Sequence, residues 1–137
     1  MVETQTPENA SGGPSVLITG GSGLIGRYLT SALLSEGYSV SHPSRNPGTS
    51  GKVRVFRWNP EKKIADPRIF EGVDYIIQLA GANIGDKRWT KKRKEEIVAS
   101  RVDSARLLHK IVSENRIPLK GYITASATGY YGSLTSD

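Results

Sequence analysis

The chain has 137 residues, no cysteine and a net charge of +6, with a pI near 9.7. That length allows one domain with a sizeable core, and the absence of cysteine excludes disulfides, thiol chemistry and cysteine-ligated metal. No apolar run approaches the roughly 20 residues of a membrane span, no basic-then-apolar leader argues for secretion, and His42 and His109 lack ligand spacing.

Residues 1–14 are polar and rich in Ser, Gly, Thr, Pro and Asn, the composition of a disordered leader. Residues 16–19 read as a short buried strand, and Gly21, Gly23 and Gly26 follow at G-x-G-x-x-G spacing before an amphipathic helix. In that order the first glycine permits a tight turn, the second lets backbone approach a pyrophosphate, and the third lets helix and strand pack closely. The pyrophosphate then rests on the helix N-terminus, where free N–H groups and the macrodipole favour an anion. Leu24, Ile25, Tyr28, Leu29, Ala32 and Leu33 are expected on one buried helix face, and Gly37 is placed to end the helix.

Residues 38–42 make a second strand, and the loop 43–52 is too short for a helical crossover, so an extended link is expected. Residues 53–58 read as the third strand, and residues 66–70 have room only for a short helix. The apolar run 73–80 between Gly72 and Gly81 suits a buried parallel strand. Thr90 is a plausible N-cap for a long helix reaching about Asn115, with Ile97, Val98, Val102, Ala105, Leu108, Ile111 and Val112 as its apolar stripe. Residues 121–126 make a fifth strand. Strands alternating with helices predict an α/β fold: a doubly wound parallel sheet of Rossmann type, order 3-2-1-4-5.

The end of the second strand bears on the cofactor. NAD sites place an acidic residue about 20 positions after the glycines, whereas NADP sites place an arginine there. Residues 40–46 contain no carboxylate, and Ser44 with Arg45 would suit the 2′-phosphate of NADP. The alternative is that Arg45 is a solvated loop residue. A second charged feature is the run from Lys87 to Lys94, with Trp89 inside it. Cations at a helix start oppose the dipole. They suit a bound anion, a nucleic-acid patch, or a solvated surface screened by Glu95 and Glu96. With one aromatic and no accompanying motif, nucleic acid is not expected as a partner.

Beyond these generic signals, Thr19 to Gly26, Ala80-Gly81, Trp89-Thr90, Glu96-Ile97, Ser100-Arg101 and Ser126 to Gly132 resemble the short-chain dehydrogenase/reductase superfamily in its extended form. More narrowly, they are similar to its NAD-dependent epimerase/dehydratase-like branch, which includes nucleoside-diphosphate-sugar epimerases. The resemblance implies that Gly20, Gly23, Leu24, Ile25 and Gly26 form the pyrophosphate turn. It implies that Ser44 and Arg45 meet the adenosine phosphate of NADP, and that Leu79, Ala80 and Gly81 line the cofactor at the end of the fourth strand. Glu96 and Arg101 match cofactor-facing positions on the long helix. Ser126 matches the active-site hydroxyl, with Thr128 as a second candidate.

The resemblance has a departure. The superfamily's Tyr-x-x-x-Lys acid/base pair has no counterpart here, since Tyr130 and Tyr131 are followed by Leu134 and Thr135. The expectation is a Rossmann domain over residues 15–137, incomplete at its C-terminus: the N-terminal piece of a longer protein, or a truncated form. It would be the NADP-binding part of an oxidoreductase or nucleotide-sugar epimerase, cytoplasmic and without a membrane partner. Its substrate would be a nucleotide sugar or carbonyl compound, and the chain alone would lack turnover. The other reading is a regulatory cofactor-binding module.

Overall fold

The computed structural model describes residues 12–79 and 87–125. Its elements are β1 (Ser15–Thr19), α1 (Leu24–Ser35), β2 (Ser39–Ser44), β3 (Gly48–Ser50), β4 (Val53–Asn59), β5 (Ile64–Ala65), a 3-10 turn Pro67–Phe70, β6 (Tyr75–Gln78), α2 (Lys91–Glu114) and β7 (Gly121–Thr124). The sheet runs β3-β4-β2-β1-β6-β7, with β5 paired to β4. Pairings along β4-β2-β1-β6-β7 are all parallel, which is the expected 3-2-1-4-5 order of a doubly wound sheet. The link between β2 and β4 is extended, as its length required, and supplies β3 as an antiparallel edge to β4.

Alternation along β1 divides the core. Leu17 faces one side with Ile76, Trp58, Ile69, Phe70 and Val73, and α2 covers them with Leu107 and Leu108. Val16 and Ile18 face the other side with Val40, covered by Leu29, Leu33 and Leu34 of α1. Burying a side chain such as Leu17, Ile76 or Leu108 contributes about 1.5–3 kcal/mol. Helices therefore lie on both faces, and the chain reverses direction across the sheet between β1 and β6.

Local chemistry sets the element ends. Thr90 caps α2, its Oγ1 accepting from Arg93 N at 3.1 Å. Asp66 caps the 3-10 turn, accepting from Arg68 N at 2.9 Å, and Arg68 beside it holds the carboxyl below the usual range. Asp74 ties three strand starts together. Its Oδ2 accepts from Ser15 N at 2.9 Å, its carbonyl accepts from Lys120 N at 2.7 Å, and Lys120 Nζ lies 3.6 Å from Oδ1. Strands β6 and β7 are shorter than their apolar runs suggested.

Two helix faces differ from expectation. On α1, Leu24, Ile25 and Tyr28 are 82%, 67% and 81% exposed. The buried residues are Gly26 and Thr30 instead. The close approach at Gly26 fixes the rotation of the helix, so Ile25, about 100° around the helix, and Leu24 and Tyr28, about 160° around it, point outward. On α2, Val98 is 61% exposed. Packing begins lower, at Ser104, Leu107 and Leu108. Among the described residues, no helix is long and apolar enough to cross a membrane.

Candidate functional site

The carboxyl end of β1 delivers the chain into the glycine turn. Gly20 takes φ +76°, a left-handed conformation that favours glycine. Gly23 N then donates to Gly20 O at 3.1 Å and closes the turn. The strained position is thus Gly20, one residue earlier than the spacing implied. Gly21 is needed for a different reason: a β-carbon there would overlap the imidazole of His42 on β2. Gly26 packs helix to turn as anticipated, because its β-carbon would stand 2.6 Å from Gly21 Cα.

Gly23 is different from its neighbours. Its φ is −71°, and a β-carbon would meet only Gly20 O at 3.4 Å, an ordinary contact. Nothing in the described chain forbids a side chain there. Gly23 is also the N-cap of α1, with no side-chain hydrogen bond capping the helix. The first turn of a helix has N–H groups without intrahelical partners, and here no side chain caps them and Gly23 adds none of its own. That arrangement fits a pyrophosphate.

Beside the turn runs a cleft of about 450 Å³, lined by Gly20, Gly21 and Ser22, by Arg27, Thr30 and Ser31 of α1, by His42, Pro43 and Ser44 of β2, and by Val53 and Val55 of β4. Its described lining contains no carboxylate, and Arg27 gives it a fixed positive charge. Burial lowers the His42 pKa, which favours the neutral ring. Ser44 Oγ accepts from Asn46 N at 3.2 Å, shaping the turn that follows β2.

The predicted residues therefore divide into groups. Gly20 and Ser44 line the cleft, with Gly23, Leu24, Ile25 and Gly26 at the adjoining helix start. Arg45 lies in the exposed turn next to Ser44, and the arginine among the cleft's lining residues is Arg27. Leu79 N donates to Thr19 O at 3.0 Å, so Leu79 stands beside the glycine turn where β1 and β6 diverge. Ala80, Gly81, Ser126 and Thr128 lie outside the described residues. Glu96 and Arg101 make local contacts on α2: Glu96 pairs with Arg93 at 3.2 Å, and Arg101 Nη1 donates to Ile97 O at 3.3 Å. The structure does not join these two to the cleft.

Arg27 and His42 were not singled out from the sequence as part of this site. Arg27 follows the third glycine directly, and that adjacency was the available signal. His42 carried none, because its role depends on pairing between β1 and β2.

Comparisons with known proteins agree with this geometry. The sequence profile of the NAD dependent epimerase/dehydratase family matches residues 16–137. The chain is similar to an epimerase family protein of Mycobacterium leprae (strain TN), 35% identical over 117 residues, covering 85% of this chain and 37% of that protein. Among solved structures it is similar to human epimerase family protein SDR39U1, determined with NADPH: 29% identity, TM-score 0.68, covering 85% of this chain and 38% of that one. It is also similar to a nucleoside-diphosphate sugar epimerase from Corynebacterium glutamicum, at 32% identity and TM-score 0.67, covering 91% of this chain and 25% of that one. The chain thus spans under two-fifths of the length of these relatives.

Proposed function

This chain belongs to the NAD dependent epimerase/dehydratase family, and from that premise we propose that it is the NADP(H)-binding part of an oxidoreductase or nucleotide-sugar epimerase. The observation carrying this reading is the uncapped start of α1 behind Gly23, opening beside a cleft with Arg27 and no described carboxylate. Gly20 and Gly23 shape the turn, and the N–H groups of Leu24, Ile25 and Gly26 in the first turn of α1 hold the pyrophosphate with the helix dipole. Ser44 and Arg45 take the 2′-phosphate, and Arg27 adds charge from the facing helix. Leu79, and by the family resemblance Ala80 and Gly81, are assigned to contact with the dinucleotide near the switch point. Glu96 and Arg101 enter the reading through the family resemblance alone, since their contacts on α2 are local.

The bound nicotinamide would supply hydride transfer; this chain's part is to bind and orient it. Ser126 is assigned the hydroxyl offered to a substrate oxygen. A serine hydroxyl without an activating neighbour is a poor acid and a poor base. The substrate class that suits the reading is a nucleotide sugar or a carbonyl compound, and human SDR39U1 with its NADPH supports the choice of cofactor.

Calorimetric titration of the chain with NADPH and NADH tests the proposal. Tighter binding of NADPH is expected. Equal affinities would remove the NADP preference, and no binding of either would remove the function.

A further inference from the structure

The glycine turn is gripped from two sides. Gly26 of α1 closes it on one, and the His42 imidazole lies against Gly21 on the other. A chain of hydrogen bonds joins the two sides. Thr30 Oγ1 donates to Gly26 O at 2.6 Å, and the same oxygen lies 2.9 Å from His42 Nε2. A hydroxyl has one hydrogen, and here the carbonyl takes it. His42 Nε2–H must therefore be the donor, which fixes the neutral ring in the Nε2–H tautomer and leaves a lone pair on Nδ1. Thr30 is 7% exposed, and its hydroxyl's bond to Gly26 O is buried, while the bond to His42 is half-buried at the wall of the cleft. The ring thus has a fixed plane, and Gly21 rests on that plane.

We propose that His42 is a positioning residue: held by Thr30, its ring sets the path of Gly20 to Gly23 and so aims the N–H groups that receive the cofactor's pyrophosphate. This rests on the reading of the turn as a dinucleotide site. No contact between His42 and the cofactor is required. A ring that sits under the first half of the turn limits where Gly23 begins the helix. Removing the ring opens space under Gly21, and removing the Thr30 hydroxyl frees the ring to turn.

Four variants of the full chain test the proposal: His42→Leu, His42→Gln, Thr30→Val and Thr30→Ser. Each is measured for melting temperature, for NADPH affinity, and for affinity toward 2′-AMP, which carries the adenosine phosphate but no pyrophosphate. His42→Leu and Thr30→Val should weaken NADPH by about tenfold, the scale of one buried hydrogen bond, and leave 2′-AMP within about twofold. His42→Gln and Thr30→Ser keep a donor and a hydroxyl respectively, and should recover most of the NADPH affinity. Parallel losses for both ligands, or losses that follow melting temperature across all four variants, would show a general structural role and overturn the proposal. Unchanged NADPH affinity in His42→Leu and Thr30→Val would do the same. Should His42→Leu fail to fold, the Thr30 pair decides. If the wild-type chain binds no dinucleotide, the reading of the site falls, and this inference falls with it.

Discussion

Gly26 and Gly21 stand so close that a β-carbon on the first would lie 2.6 Å from the Cα of the second. Neither backbone can give way, since one is helix and the other is the turn that helix packs against. Gly26→Ala should therefore destabilise the chain by about 1–3 kcal/mol, the usual cost of overpacking, and should lose NADPH binding as well. Gly23→Ala is the informative contrast. The chain itself has room for it, and alanine at an N-cap costs on the order of 1 kcal/mol or less relative to glycine. Its melting temperature should fall only slightly while NADPH affinity falls steeply. Thermal melts beside titrations separate the two, and a Gly23→Ala protein that still binds would place the pyrophosphate elsewhere.

Two arginines flank Ser44 in different ways, Arg45 from the turn after β2 and Arg27 from α1. Each charge-assisted bond to the 2′-phosphate is worth about 1.5–3 kcal/mol. Arg45→Ala and Arg27→Ala should thus each reduce NADPH affinity by roughly tenfold or more and leave NADH nearly untouched. Competition titrations with the two cofactors provide the ratio. A variant that weakens both equally does not read the phosphate.

Burial lowers the pKa of His42 in the folded chain. The unfolded chain, with its histidine near 6.5, then binds a proton that the folded chain resists. Stability should be steady above that value and fall as pH drops through it, levelling once the folded histidine is also protonated. His42→Gln should flatten that part of the profile. Asp66, whose carboxylate is held low by Arg68, acts in a separate and more acidic window. Melting temperatures from pH 8 to pH 4.5 check this. A slope near neutrality that survives in His42→Gln would have to come from another group.

Ser126 bears on turnover. Proton transfer needs a second group of suitable pKa beside Ser126, the part that the Tyr-x-x-x-Lys pair has in the superfamily the sequence resembles. The 137 residues should bind NADPH and turn over neither sugar nucleotides nor simple carbonyl compounds. Absorbance at the NADPH band over a substrate panel gives the answer. Robust turnover that disappears in Ser126→Ala would show that a complete active site is present here.

The sequence by itself determined the strand, glycine turn and helix at residues 15–35, the caps of α2 at Thr90 and Asn115, and the parallel order of the sheet. These follow from local rules: apolar runs, glycine spacing, a capping hydroxyl, and connections too short or long enough for a given crossover. Tertiary structure alone decided which face of α1 is buried, because one backbone contact at Gly26 outweighs the helix's apolar periodicity and turns Leu24, Ile25 and Tyr28 outward. It alone brought His42 under Gly21, since parallel pairing of β1 with β2, in a register that joins residues twenty-four positions apart, carries the end of β2 beside the turn that follows β1. It also put Arg27 in the cleft and left Arg45 on its exposed shoulder. Spacing along a chain can mark the candidate residues of a site. Which side chains meet there depends on helix rotation and strand register, and those are fixed by contacts between segments that no local window contains.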